Sequence, residues 1–123
     1  MKRLYALRGA AQCMNTAQDI CEQISLMYDE LLVSNKLDEK DIVSLIFSIT
    51  DDLDAINPCT ALRKNGRGGE LALFSAREPE SKNALERTVR ALVHCYLEEG
   101  SRVHHVYRNG AEVLRPDRVS NRA

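Results

Sequence analysis

A helical segment followed directly by a run of strand-forming residues limits this chain to folds that pack helices on a sheet. Thr16 and Asp19 form a typical helix start, and the apolar residues that follow recur at helical spacing to about Asn35. The sequence DIVSLIFSIT, at 41–50, is rich in β-branched residues and predicts a central strand. The alternating segment RLYALRG, at 3–9, predicts another strand before the helix. The chain is therefore expected to begin as β-α-β.

The second half of the sequence predicts further strands and another helix. Pro58 suits the first position of a short helical turn, and ELALFSA, at 70–76, predicts a third strand. Apolar spacing predicts a second long helix over 82–97, and RVHHVYRNGAEVLR predicts a closing hairpin whose turn is Asn109-Gly110. The predicted fold class is α/β (α+β), a single domain with a five-stranded mixed sheet covered on one face by two main helices. The uncovered sheet face predicts self-association.

Composition argues against several classes of function. A chain of 123 residues is the size of one domain, and its 18 acidic and 17 basic residues nearly cancel. No overall field would draw the chain to nucleic acid or to an anionic membrane. The N-terminal segment has no sustained apolar core, so neither a secretory signal nor a membrane span is expected, and the predicted location is cytoplasmic. The four cysteines lack C-x-x-C spacing, which predicts reduced thiols.

Two charged residues lie at positions that could serve a binding site. Arg90 falls on the flank of the apolar stripe of the predicted second helix. On helical geometry alone, the simplest interpretation is an ion pair with Glu86, one turn earlier. Glu78 directly follows the predicted third strand, where proteins often present binding groups. Taken singly, neither residue identifies a function.

Metal, nucleotide and covalent chemistry have little support in the sequence. Three histidines and a cysteine lie near one another in the chain: His94, Cys95, His104 and His105. Adjacent residues of a strand face opposite ways, so no metal site is predicted from them. No motif typical of nucleotide binding or of a serine nucleophile is present.

Several segments together resemble one enzyme family. LRGAA, DLDAINPCTALR, Glu78, TVRALVH and HHVYRNGAEVLRPD occur in the order and spacing of the monofunctional, trimeric chorismate mutases of the AroH class. The most specific part of the resemblance is the pattern HVYxxxAxVLRPD. The resemblance implies a chorismate mutase domain at 1–117, followed by a C-terminal tail at 118–123 that is predicted to be flexible.

The family resemblance implies an intramolecular rearrangement in aromatic amino acid biosynthesis. Chorismate, a dianion, becomes prephenate as a carbon–oxygen bond breaks and a carbon–carbon bond forms. Negative charge builds on the ether oxygen in the transition state, so catalysis requires electrostatic stabilisation and a compact substrate conformer. The implied enzyme is a homotrimer with a pseudo-barrel core and with sites at subunit interfaces, and it needs no metal or cofactor. The alternative is a catalytically silent trimeric module that binds a small dicarboxylate.

The resemblance also assigns roles to individual charged residues. Arg90 is expected to contact the ether oxygen and a carboxylate, in place of the ion pair with Glu86. Arg8, at the end of the predicted first strand, is expected to bind a carboxylate together with Tyr107. Glu78 is expected to hold the ring hydroxyl. The implied catalytic residues are therefore Arg90, Glu78 and Arg8.

Further residues are implied to bind substrate. Arg63 is expected to come from the neighbouring subunit. The remaining implied substrate-binding residues are Phe74, Ser75, Leu114, Arg115, Asn57 and Thr60. Three of these differ from the residues common in the family: Asn57 replaces a phenylalanine, Thr60 a lysine and Ser75 a cysteine. The first two changes are expected to affect substrate affinity more than chemistry, and the Ser75 hydroxyl still provides a hydrogen-bond donor.

Overall fold

The core of the chain is one mixed sheet with helices on one of its faces. The computed structural model describes residues 1–115, so the predicted tail at 118–123 and the end of the predicted domain lie outside it. Within this range the strands are β1 (Lys2–Gln12), β2 (Ile42–Ile49), β3 (Leu73–Arg77), β4 (Thr88–Glu98) and β5 (Val106–Arg108). The helices are α1 (Ala17–Asn35) and α2 (Pro58–Lys64), with short 3₁₀ segments at Glu39–Asp41 and Ala111–Leu114. The predicted five-stranded mixed sheet is confirmed.

The strands are arranged in the order β3-β2-β4-β1-β5. Central β4 is antiparallel to both β1 and β2, whereas the outer pairs, β2 with β3 and β1 with β5, are parallel. The parallel partners of β1 and β2 are short, so the long antiparallel strands form most of the sheet.

Helix α1 begins where the sequence predicts and packs closely on β1. The Asp19 amide donates to Thr16 Oγ1 at 3.0 Å, which caps the helix, and Lys36 ends it in the left-handed conformation. Gly9 of β1 permits the close approach, since a Cβ there would lie 2.9 Å from Met27 Sδ. The apolar stripe of α1 is thereby buried against one face of the sheet.

The cap at Thr16 gives a direct test of this helix start. Thr16→Ala removes the acceptor for the Asp19 amide and is expected to lower the free energy of unfolding by about 1 kcal/mol. Gln18→Ala, on an exposed residue of the same turn, is the control and is expected to change it by less than about 0.5 kcal/mol. Urea unfolding at a fixed protein concentration measures both values, and equal values for the two variants would contradict the capping role.

The predicted helix over 82–97 is wrong, because most of this segment forms strand β4. Asn83 and Arg87 have positive φ angles of 65° and 45°, which interrupt a helix. From Val89 the burial alternates with a period of two, so the odd-numbered residues lie in the core and Leu92 points to the opposite face from Val93. The second helix on the covered face is instead the short α2, at the position predicted for a helical turn.

The predicted closing hairpin is also wrong, although its turn residues behave as expected. Asn109 and Gly110 both have positive φ, at 53° and 105°. The chain then enters the 3₁₀ segment, and β5 pairs with β1 in parallel instead of with a following strand. Ala111 is fully buried in this segment, against Ala10 and Tyr107, and this packing replaces a second hairpin strand.

The sheet face opposite the helices is only partly covered by the chain itself. Alternate residues of β1, β2, β3 and β4 point to this face, which we call the open face. Its apolar side chains include Leu4, Phe74 and Tyr96, which are 50%, 64% and 44% exposed. Among residues 1–115, no helix has the length and apolar character required to cross a membrane.

Candidate active site

A pocket of about 370 Å³ lies on the open face, between the strands and the 3₁₀ segment Ala111–Leu114. Five residues that the resemblance implies for the substrate site line it: Arg8, Arg90, Tyr107, Leu114 and Arg115. Small and apolar residues, including Ala10, Ile46 and Leu92, form the surface between them. The pocket therefore combines three arginines with an apolar floor, which suits a small organic anion.

The sheet register explains why these residues converge. Arg90 on β4 is paired with Ala10 on β1 and with Ser48 on β2. Ala10 is in turn paired with Tyr107 on β5, so Tyr107 and Arg90 flank the same small residue. Arg8 lies two residues before Ala10 and therefore points to the same face. Alanine between the two larger side chains leaves room for a ligand.

Arg90 is placed beside a carboxylate other than the one that helical geometry suggested. Its Nε lies 3.5 Å from Glu78 Oε1, and its side chain is 37% exposed. The Nε atom itself is buried and, within the described residues, makes no hydrogen bond. The interpretation of an ion pair with Glu86 is wrong, because Glu86 instead contacts Arg87 at 3.3 Å. Arg90 Nε is thus a buried donor that is paired by charge with Glu78 but has no hydrogen-bond acceptor within residues 1–115.

Glu78, just after β3, does not line the pocket itself but contacts two residues that do, Ser48 and Arg90. Its amide donates to the Ile49 carbonyl at 2.9 Å, which continues the β2–β3 pairing by one residue. Its Oε1 accepts a hydrogen bond of 2.5 Å from Ser48 Oγ. Ser48 was absent from the sequence-based candidates, and its only sequence signal is a hydroxyl inside the apolar run of β2. Glu78, which was predicted from the sequence, is therefore held by Ser48, which was not predicted.

Arg8 lies in the middle of β1, so its predicted place at a strand end is wrong. The strand continues to Gln12 because β4 pairs with it along its whole length. The Arg8 amide donates to His105 Nδ1 at 3.0 Å, just before β5 begins. The sequence suggests His105 only as a candidate metal ligand, whereas in the structure it accepts a hydrogen bond from the backbone amide of Arg8, a pocket residue.

The remaining predicted residues lie away from this pocket, around α2 and β3. Asn57 caps α2 by accepting from the Cys59 amide at 2.8 Å, and its side-chain amide donates to Ser75 Oγ at 3.3 Å. Thr60 and Arg63 are exposed on α2. Phe74 is paired with Ile46 on the open face, but it does not line the pocket. One chain alone therefore does not bring Arg63 to Arg90.

The cysteines and histidines do not form a second reactive centre in the described part of the chain. Between residues 1 and 115, no three histidine, cysteine or acidic side chains are arranged to hold a metal ion. All four cysteines are buried and free. Burial raises the pKa of Cys95 to about 11 and that of Cys13 to about 12. These two thiols therefore stay protonated at neutral pH and are poor nucleophiles.

Comparison with known proteins identifies the family. The sequence profile described as chorismate mutase type I matches residues 4–118. The chain belongs to the chorismate mutase type I family. Its activity is the chorismate mutase reaction, an isomerisation in aromatic amino acid biosynthesis. The alternative of a catalytically silent binding module is not favoured.

Similarity to individual chorismate mutases extends over nearly the whole chain. Chorismate mutase AroH of Thermus thermophilus is 32% identical over 117 residues, which cover 90% of this chain and 95% of the relative. The Bacillus subtilis (strain 168) enzyme of the same name is 24% identical over 116 residues, covering 93% and 91% of the two chains. A solved structure of chorismate mutase from Clostridium thermocellum has a TM-score of 0.82 at 36% identity, covering 89% of this chain and 98% of that one. The predicted fold and family are both confirmed.

Proposed function

We propose that this chorismate mutase acts as a homotrimer, with Arg90 as the central cation of each site. The observation that carries the proposal is the pocket on the open face, where Arg8, Arg90 and Arg115 surround an apolar floor. Chorismate carries two carboxylates on a compact carbon skeleton. Three guanidinium groups beside an apolar floor complement both parts of such a molecule.

Arg90 supplies positive charge where the substrate gains negative charge. As the carbon–oxygen bond breaks, the ether oxygen becomes more negative and attracts a guanidinium more strongly than it did in the ground state. The buried Nε of Arg90 is paired by charge with Glu78 but makes no hydrogen bond within the described residues, so an anionic substrate oxygen offers it a hydrogen-bond acceptor. A partly buried site also limits the screening of this interaction by water.

The other proposed site residues bind the carboxylate and hydroxyl groups of the substrate. Arg8 on β1 and Tyr107 on β5 bind one carboxylate of the substrate. Glu78 lies on the other side of Arg90 from Arg8 and accepts a hydrogen bond from the ring hydroxyl. Leu114 and Arg115 close the mouth of the pocket, since Leu114 ends the 3₁₀ segment at its rim and Arg115 directly follows. The contacts with the carboxylate restrict the bound molecule to geometries near the transition state, whereas the contact with the ring hydroxyl contributes to affinity.

Neighbouring subunits complete each site in this proposal. Arg63 of one subunit reaches the Arg90 pocket of the next, together with the nearby substrate-binding residues Asn57, Thr60, Phe74 and Ser75. Two observations support the assignment: these residues lie outside the Arg90 pocket of their own chain, and the open face presents exposed apolar side chains. An exposed apolar face on a small domain is typical of an interface.

The proposal also includes the limits and location of the catalytic domain. Residues 1–117 form the domain and 118–123 form the tail, and the family match over residues 4–118 supports a boundary close to residue 118. The cytoplasm is the proposed location, because four buried cysteines without disulfides are typical of a reducing compartment.

Hybrid trimers test whether sites are shared between subunits. Arg90→Ala and Arg63→Ala are each expected to be nearly inactive, because each removes a charge from every site. If Arg63 serves the neighbouring site, a mixed trimer contains sites with both arginines intact. Random mixing is expected to restore about a quarter of the wild-type activity per site for a cyclic trimer. The assay follows the loss of chorismate absorbance and verifies prephenate as the product.

The controls for this experiment separate shared from independent sites. Each variant refolded alone reports its residual activity, and sedimentation verifies that the mixture contains trimers. If both arginines served the same subunit's site, every site in a mixed trimer would carry one substitution. Mixed trimers without recovered activity would therefore contradict the shared site.

A further inference from the structure

Within residues 1–115, the contacts of the Glu78 carboxylate all fall on one of its two oxygens. Ser48 Oγ donates to Oε1 at 2.5 Å, and Arg90 Nε lies 3.5 Å from the same atom. In the part of the chain that the structure describes, both contacts of this carboxylate are on Oε1, and Oε2 has no hydrogen bond or ion pair. Glu78 is nonetheless largely buried, with 24% of its side chain exposed. One carboxylate oxygen is thus occupied, and the other has no partner among the described residues.

The sheet determines where Ser48 can act. Ser48 on β2 is the direct cross-strand partner of Arg90 on β4, so both side chains point to the open face at the same level. Glu78 comes from the neighbouring β3 edge, where its amide is already bound to the Ile49 carbonyl. Its backbone is therefore anchored beside Ser48, and the remaining freedom lies in the carboxylate side chain.

We propose that Ser48 is a positioning residue that orients the Glu78 carboxylate for substrate binding. Its hydroxyl occupies Oε1 and leaves Oε2 as the oxygen that accepts the hydrogen bond of the ring hydroxyl. This inference rests on the proposed role of Glu78 and adds a residue that does not itself contact the reacting atoms. Without the serine hydroxyl, the carboxylate rotates among several orientations, and only some of them present an acceptor to the substrate.

The position of the ring hydroxyl determines which kinetic constant changes. The hydroxyl takes no part in the bonds that break and form, so its hydrogen bond contributes similarly to ground-state and transition-state binding. Loss of such a uniform interaction raises KM and leaves kcat nearly unchanged. Ser48→Ala is therefore expected to raise KM about tenfold, the size typical of a lost hydrogen bond to a charged group, while kcat changes less than about twofold.

Two substitutions on the same strand control for nonspecific effects. Ser48→Thr keeps a hydroxyl and suits a strand, so it is expected to recover most of the affinity lost in Ser48→Ala. Ser44→Ala removes a hydroxyl from the same face of β2, but that hydroxyl contacts His94 Nδ1 at 3.1 Å instead of Glu78. Its KM is expected to equal that of the wild type. If Ser48→Ala does not fold, Ser48→Cys, which is a weak donor of similar size, is expected to raise KM severalfold.

A double-mutant cycle with Glu78→Ala separates this inference from the proposed function. In the Glu78→Ala background, Ser48→Ala is expected to cause no further rise in KM, since the carboxylate it orients is gone. A full tenfold rise in that background, or a fall in kcat instead of a rise in KM, would overturn the positioning role. If Glu78→Ala alone left KM unchanged, the proposed role of Glu78 would fail together with this inference. Single-turnover measurements at saturating chorismate verify the kcat values.

Discussion

Replacing Arg90 with alanine is expected to lower kcat by at least two to three powers of ten, while the protein stays folded. Arg90 is the residue that the proposed mechanism places against the developing charge on the ether oxygen. Removal of one preorganised donor from such a site costs about 2.7 to 4 kcal/mol in the transition state. The side chain is partly exposed and borders the pocket, so its truncation creates little strain in the core. Chorismate consumption measures the rate, and circular dichroism measures folding.

Arg90→Lys is the matched variant, because it keeps the charge and changes its geometry. Lysine presents a point charge without the planar fork of donors, so it is expected to recover only a small part of the lost activity. The Glu78 carboxylate would pair with either arginine or lysine at position 90. Loss of that ion pair therefore cannot explain a difference in activity between the wild type and Arg90→Lys. A folded Arg90→Ala protein with wild-type kcat would contradict the proposed role of Arg90 as the central cation of the site.

Elements with one clear periodicity could be predicted from the sequence, whereas segment 82–97 could not. Helix α1 has a side-chain cap and one apolar stripe, and β2 is a short run of strand formers between polar residues. In strand β4, however, apolar residues occupy both faces, including Val93 in the core and Leu92 on the open face. Such a strand has enough apolar residues to match a helical pattern by chance. Pairing with β1 and β2 decides between the two structures, and that pairing is long-range.

The charged centre of the site could be predicted from the family resemblance, but its supporting contacts could not. Arg90 lines the pocket even though its predicted secondary structure is wrong, because the resemblance compares residues and not conformations. Ser48 and His105 depend on which residues face each other across the sheet. A serine inside a strand and a histidine before one have many ordinary roles, so their contacts emerge only from the folded chain.

Leu4→Glu is expected to convert the proposed trimer into monomers and to reduce activity about a hundredfold or more, because each site would lose the charge that the proposal assigns to its neighbour. Leu4 lies on the open face opposite Tyr96, at the other end of β1 from the pocket residue Ala10. In the isolated chain it is half exposed, so a glutamate there leaves the monomer core intact. In a trimer closed through the open face, the same carboxylate would be buried in every subunit, at a cost of several kcal/mol per charge.

The helix layer provides the matched control for this prediction. Val33 on α1 is 78% exposed, and Val33→Glu introduces the same charge on the opposite side of the sheet. This variant is expected to sediment as a trimer and to retain activity. Monomers from Leu4→Glu that remain fully active would show that one chain suffices for catalysis, whereas an active Leu4→Glu trimer would show that the subunits meet elsewhere. Inactive monomers beside an active Val33→Glu trimer would instead link catalysis to contact across the open face, because the two substitutions differ only in the face that carries the charge.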